Sequence, residues 1–346
     1  MNPKIVLGLS GGVDSAVAAA LLRESYEVFC VYLDIGLGTG KEDAAHLAEY
    51  LGLPFRSVDI RAELEHFVCA DFASEYRHGR TPLPCARCNP LVKFPALVKV
   101  AGEVGAEFVA TGHYARVTAG PDGRMLLRKG KPANDQSYML SRLTQNLLRR
   151  TVFPLGGYEK TEVRAMAEGL GLSVHDKPDS MEICFIPDGD YALWLDQRGG
   201  TPPPGDFVDQ DGNVLGRHQG IHHYTVGQGR GLGLSGPHRW FVSAIDPERN
   251  TVTLSDGSDL TAGHVLCSRP NWVSIDALAE PMPVTVRLRH SKTEAAGTIR
   301  PAGSGVEVDL DQPARAPTPG QLAVFYQGDI VVGSAWIERG GDGTWS

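Results

Sequence analysis

The feature that most constrains this chain is an apolar run that ends in a glycine loop. Lys4–Leu9 reads as a buried strand and runs straight into Ser10-Gly-Gly-Val-Asp-Ser15. Val13, Val17 and Leu21 then recur at helical spacing, with Ala16 and Ala20 beside them. Adjacent glycines let the backbone turn sharply and come close to a ligand. Amides at the start of the following helix point at an anion, which the helix dipole also favours. Gly8, Leu9, Ser10, Gly11, Gly12, Val13, Asp14 and Ser15 are therefore the candidate ATP loop. Ser10 and Ser15 add hydroxyls, and Asp14 is placed to help hold a magnesium ion. No Gly-Lys-Ser/Thr follows the glycines, so the Walker loop is absent and γ-phosphate transfer is not implied.

Strand and helix signals keep alternating over roughly the first 115 residues. Glu27–Leu33 reads as a strand, and Ala44, Leu47, Ala48 and Leu51 form a helical stripe closed by Gly52. Phe55–Asp59, Ala96–Val104 and Phe108–Thr111 continue the pattern. Such alternation implies an α/β fold, a doubly wound parallel sheet of Rossmann-like type, with ligands at the carboxyl ends of the strands. Helical patterning persists to about Leu170, where Gly171 ends it. After Asp190 the character changes: Thr201-Pro-Pro-Pro-Gly205 is a linker, and turn signals follow at Asp211-Gly-Asn213 and Asp256-Gly257. Short alternating runs at Val284–Leu288, Gly305–Leu310, Gln321–Tyr326 and Ile330–Ile337 predict a small β-barrel. With 346 residues to divide, the expected domains are a catalytic unit at 1–195, a small β-rich central unit at 196–262 and a barrel at 263–346.

The hydrophobic content of 42% fits an ordinary globular protein. No signal-peptide pattern opens the chain and no apolar stretch approaches the roughly 18–20 residues of a membrane helix, so the cytoplasm is the expected address. A formal net charge of −8 excludes a protein that coats nucleic acid indiscriminately. Between Arg124 and Arg164, however, nine basic residues face only three acidic ones, a local excess of 9 − 3 = +6. That strip is a candidate footprint for a phosphate backbone.

Of six cysteines, Cys85 and Cys88 cluster in Thr81-Pro-Leu-Pro-Cys-Ala-Arg-Cys88-Asn-Pro, just before a helix. A cysteine near a helix start, with Arg87 and Lys93 close in sequence, is expected to have a lowered pKa. Cys184 stands far along the chain between Ile183 and Phe185, the setting of a buried small hydrophobe. Cys30, Cys69 and Cys267 read as packing residues. Cys85-x-x-Cys88 is half a zinc site, and no second pair completes it. His222-His223 reads as a loop or strand pair rather than a ligand set. Gly231-Leu-Gly-Leu-Ser-Gly236 matches a dinucleotide pattern by letter, but Pro237 stands where its helix should begin, so it reads as a loop.

Ser10–Ser15 in its strand–helix context resembles the pyrophosphate loop of the ATP pyrophosphatases, which hold the β,γ-pyrophosphate and leave the α-phosphate open to attack. The order of motifs goes further. Gly8–Ser15, Pro84–Phe94, Gly112-His-Tyr-Ala-Arg116, Asp135-Gln-Ser-Tyr138 and Asp179–Ile186 together resemble the tRNA-specific 2-thiouridylases, from Lys4 to about Ile337. The resemblance implies that Leu33 and Gly112 join Gly8–Ser15 in binding ATP with Mg2+. It makes Cys88 the nucleophile and Cys184 the carrier of a persulfide delivered by a cysteine desulfurase or sulfur-relay protein. Leu83, Pro84 and Cys85 would line the flipped base, while His113, Asn134, Asp135, Gln136, Arg289, His290 and Gln321 would contact tRNA. Lysine, glutamate and glutamine isoacceptors are the tRNAs the family implies. Many members carry an aspartate where this chain has Cys85, which leaves proton transfer unassigned here.

The implied chemistry is ATP-dependent adenylation of the wobble uridine, then sulfur transfer to give 2-thiouridine, AMP and pyrophosphate. Three other readings stand beside it. A pyrophosphate-loop enzyme of argininosuccinate or asparagine synthetase type would adenylate a small molecule. A metal- or RNA-binding module would do no catalysis. A third reading keeps the enzyme but lets Cys85, Cys88 and Cys184 ligate an iron–sulfur cluster with one open iron.

Overall fold

The computed structural model describes residues 2–38, 40–178, 183–235, 239–291 and 293–340. Four residues of the Asp179–Ile186 motif (179–182), together with Gly236 and Pro237, lie outside the described residues.

Five parallel strands form the first sheet, in the order Phe55–Asp59, Glu27–Asp34, Lys4–Gly8, Phe108–Ala110, Thr151–Val152. The first strand thus sits at the centre, and the chain leaves it in opposite directions on its two sides. This reversal opens a crevice at the strands' carboxyl ends, where ligands of such sheets bind. Both faces are covered. The helix Val13–Leu22, built largely of buried Ala and Val, packs one face with Leu47 and Val163. Leu97, Val100 and Phe94 of the helix Phe94–Val104 pack the other.

The cysteine segment is more helical than its sequence suggests. Pro84–Cys88, a π-helical turn Asn89–Lys93 and Phe94–Val104 follow one another without a break. Residues 115–129, expected to continue the helical pattern, instead form a hairpin of Ala115–Ala119 and Met125–Lys129. It pairs with the last barrel strand through Ile330 and Arg128, and Asp329 ties down both Arg116 and Arg128 at 2.7 Å. An edge pairing distant in sequence decided this element, and local periodicity does not encode it.

The central unit is a four-stranded sheet ordered Phe241–Asp246, Thr251–Ser255, Gly205–Val208, Val214–His218. Beyond it, six strands close on themselves: Thr261–Trp272, Gly305–Arg315, Ala295–Ala302, Met282–Arg287, Leu322–Gln327 and Ile330–Gly340, which returns to the first. Val265, Val286, Ile299, Phe325 and Ile337 fill the interior. Gly231–Ser235 carries no helix, in keeping with the loop reading. Among the described residues no helix is long and apolar enough to cross a membrane.

Candidate active site

No side chain caps the helix Val13–Leu22 at Gly12, so its first amides remain for an anion. Gly11 adopts φ +79°, and a Cβ there would stand 2.7 Å from the Gly40 carbonyl oxygen. Gly112 closes the other side: its Cβ would lie 3.0 Å from Asp14 C and Ser15 N. The Ser15 hydroxyl plays a different part from the one expected. Ser15 is buried, donates to the Gly12 carbonyl at 3.0 Å and accepts from the Ser10 amide at 3.1 Å. It braces the loop from beneath rather than facing a ligand. Asp14 is likewise engaged, with Lys160 Nζ 2.7 Å from both carboxylate oxygens and the Tyr114 hydroxyl donating at 2.6 Å. Gln136 accepts from the Tyr114 amide at 3.0 Å and so holds that tyrosine in place. Lys177 completes the ring, donating to the Gly11 carbonyl at 3.1 Å and to Asp43 at 2.6 Å.

Sequence reasoning missed this pair of lysines. Lys160 counted only as one charge in a basic strip, yet it lies 146 residues from its partner. Lys177 opens the Lys177-Pro-Asp motif, the one signal that pointed near it.

The cysteines gather beyond the strand end at Thr111. Each thiolate of Cys85, Cys88 and Cys184 raises the proton affinity of its neighbours: Cys88 feels Cys85, and Cys184 feels both. Cys69, taken for a packing residue, also feels Cys184 and Cys88. Lys93 favours the thiolates of Cys88 and Cys184. Even so, burial outweighs Lys93, so the Cys88 thiol is raised, contrary to the lowered value expected. Two reasons explain the difference. The helix begins at Pro84, so its positive end lies a full turn away from Cys88. Arg87 is spoken for, paired with Asp71 at 3.0 Å and donating to the Phe67 carbonyl. Cys85 and Cys184 are exposed while Cys88 is half-buried. Cys30 and Cys267 are buried and fit the packing role expected of them, the Cys30 thiol pushed up to about 12.

His113 links loop and thiols. It follows Gly112, bonds Thr111 Oγ1 through Nδ1 at 2.7 Å and lies between Phe94 and Phe153. Burial, with Lys93 adding to it, holds its pKa well below the usual histidine range, so the ring is neutral.

Several residues expected to meet tRNA are occupied within the protein. Asp135 is buried, accepts from the amides of Gly130 and Ser137 and pairs with Arg287 of the barrel. Gln321 donates to the Thr81 carbonyl at 3.0 Å, so it anchors the cysteine segment. Pro84 is buried, Leu83 packs in the core and Leu33 lies half-buried at its strand's end. Arg289 and His290 are exposed, and Asn134 is half-buried. Four of the nine basic residues of the strip are neutralised: Arg124 meets Asp276, Arg128 meets Asp329, Lys129 meets Glu294 and Lys160 meets Asp14. Arg142, another member of the strip, groups instead with Arg269 and Arg87 near the cysteine helix. Arg142 is pushed down to about 10 by burial and by the like charges of Arg269 and Arg87. Arg142 and Arg269 both lie over the Trp336 ring.

Fold and site together define a class: an ATP pyrophosphatase fold with a thiol cluster set beyond the glycine loop that follows its first strand. Family profiles described as tRNA methyl transferase HUP domain, tRNA methyl transferase PRC-barrel domain and aminomethyltransferase beta-barrel domain match residues 3–188, 194–256 and 262–337. The chain is 41% identical to the tRNA-specific 2-thiouridylase MnmA of Halothermothrix orenii, over 97% of this chain and 99% of that one. It is 43% identical to that of Geobacter metallireducens (97% and 96%) and 44% identical to that of Heliobacterium modesticaldum (98% and 93%). The chain belongs to the tRNA-specific 2-thiouridylase family.

Proposed function

We propose that this chain thiolates the wobble uridine of tRNA at C2, using ATP to activate the oxygen that sulfur replaces. One observation carries the reading: the strand end Thr111–Tyr114 touches both halves of the chemistry. Gly112 and Tyr114 meet Asp14 of the ATP loop, while His113 shares Lys93 with the thiols. An activated base held at this strand end is within reach of both.

The uracil C2 oxygen is a poor leaving group. Attack by that oxygen on the α-phosphate converts it to AMP, and pyrophosphate departs into the loop. The uncapped helix start, Lys160 and Lys177 supply positive charge for the departing anion. Asp14 fits a magnesium ion once Lys160 transfers from its carboxylate to phosphate. A persulfide on Cys184, loaded by a cysteine desulfurase or relay protein, attacks C2 and expels AMP. Cys88 then attacks the Cys184 sulfur. The base leaves with the outer sulfur, and a Cys88–Cys184 disulfide forms that an external thiol reopens. A wobble base is already single-stranded, so turning it into a pocket costs only a few kcal/mol. Arg142, Arg269, Arg289 and His290 are the groups proposed to face the tRNA backbone. The division at 1–195, 196–262 and 263–346, a cytoplasmic site of action and the lysine, glutamate and glutamine isoacceptors belong to the same proposal.

A second reading rests on the convergence of Cys85 with Cys88 and Cys184. Those three thiols would hold an iron–sulfur cluster whose open iron carries sulfide. Cys85→Ser separates the two: activity survives in the persulfide scheme and fails, with the visible absorption, in the cluster scheme. The proposed adenylation is tested by pyrophosphate release from ATP. Release that requires tRNA bearing the wobble uridine is expected, and release indifferent to tRNA would point to a small-molecule substrate.

A further inference from the structure

Away from the thiols, two imidazoles and a carboxylate meet where the first unit joins the central one. Asp196 lies on the helix Tyr191–Arg198, and His222 and His223 belong to the 3-10 turn Ile221–His223. His222 Nε2 stands 3.0 Å from one Asp196 oxygen, and His223 Nε2 stands 3.8 Å from the other. One ligand atom from each residue falls within 4.8 Å of the other two. Ligands of a tetrahedral zinc ion, at about 2.0–2.1 Å from the metal, are spaced by roughly 3.4 Å. The two observed separations bracket that value.

Nearby His218 provides a contrast. Its Nδ1 accepts from the Gly220 amide at 3.0 Å and its Nε2 faces the Asn250 carbonyl at 3.1 Å, so packing and hydrogen bonds account for it. His222 differs. It is 1% exposed, and its Nδ1 has no hydrogen-bond partner among the described residues. Its Nε2, which faces the Asp196 carboxylate, is the atom placed to bind a metal. The Asp196 side chain is 44% exposed, so an ion enters from solvent and water completes its shell. Tyr191 adds a brace, its hydroxyl 3.3 Å from the His223 carbonyl oxygen.

We propose that Asp196, His222 and His223 bind one divalent transition-metal ion, zinc by the character of the ligands, which staples the helix Tyr191–Arg198 to the central unit. The site is independent of the sulfur chemistry. Its test uses the full chain carrying Cys85→Ser, Cys88→Ser and Cys184→Ser, so that the thiols cannot take up metal. Titration calorimetry with zinc chloride is expected to give one equivalent bound at micromolar affinity or tighter. Cobalt(II) in its place should show visible bands without sulfur charge transfer. Asp196→Asn, at an exposed side chain, and His223→Gln, at a half-buried one, should each weaken binding by at least about tenfold with circular dichroism unchanged. Zinc should also raise the Tm of the triple-serine chain but not of these variants. Absence of binding, affinity untouched by both substitutions, or millimolar uptake of an adventitious ion only would overturn the proposal.

Discussion

Lys160 governs the charge of Asp14, because its ammonium group meets both oxygens of the carboxylate at 2.7 Å. In the proposed reaction that ammonium turns to phosphate while Asp14 turns to magnesium. Lys160→Met should therefore weaken ATP by about 10- to 100-fold, the worth of one charged hydrogen bond, as read by equilibrium binding. Unchanged affinity would place Lys160 outside the nucleotide site. Ser15→Ala acts through the loop instead, and a loss of about 1 kcal/mol in stability is expected by denaturant titration. Cys88 makes a pH prediction. Burial raises Cys88, so its thiol is mainly protonated at neutral pH. Thiolate, and with it alkylation by iodoacetamide, should climb close to tenfold per pH unit from 7 to 9. A plateau at neutral pH would mean an activated thiol that the burial around this residue contradicts.

At the scale of elements, the strand Phe108–Ala110 and its continuation through Gly112 set the distance between loop and thiols. A methyl group on Gly112 would press on Asp14 C and Ser15 N at 3.0 Å, both backbone atoms or nearly so in rigidity. Gly112→Ala should weaken ATP at least about tenfold while the melting transition stays cooperative, since a displaced helix start loses its aim at the anion. Normal ATP affinity in that variant would place the nucleotide elsewhere. These elements were largely legible in the sequence. Lys4–Gly8 and Glu27–Asp34 are dense in apolar residues and bounded by turns or glycines, so local pattern and fold agree. The hairpin Ala115–Ala119/Met125–Lys129 was not legible, because its stability comes from a barrel edge some 200 residues on, where Arg128 meets Asp329. The same holds for side chains. The glycine turn between strand and helix was legible, but the pairing of Asp14 with Lys160 and of Asp135 with Arg287 is a product of folding. The approach of Cys184 to Cys88 was readable only through family resemblance, since spacing carries no sign of it.

Across the whole molecule, the barrel shapes the thiol site from outside. Gln321 donates to the Thr81 carbonyl, the Thr81 amide donates to the Pro319 carbonyl at 2.8 Å, and Gly320 passes so close that a Cβ would lie 2.9 Å from Thr81 O. Thr81 leads directly into Pro84–Cys88. Gln321→Ala should thus lower the rate of thiolation several-fold while ATP affinity holds, a split that separates positioning of the thiols from nucleotide binding. Equal losses in both would show a general destabilisation. Binding of tRNA to the full chain should weaken steeply with salt, as release of counterions from several phosphates requires. An affinity indifferent to salt would exclude Arg142, Arg269 and Arg289 as backbone contacts.

The central claim is that sulfur passes through Cys184 to a base activated by ATP, and that Cys88 releases it. Its most direct measurement is paired: pyrophosphate release and 2-thiouridine content of the same tRNA, the latter by mass spectrometry of the nucleoside digest. With Cys184→Ser, tRNA-dependent pyrophosphate release should persist while 2-thiouridine falls below detection. With Cys88→Ser, labelled sulfur should load onto Cys184 without turnover to thiolated product. Sustained 2-thiouridine formation by Cys184→Ser would contradict the account.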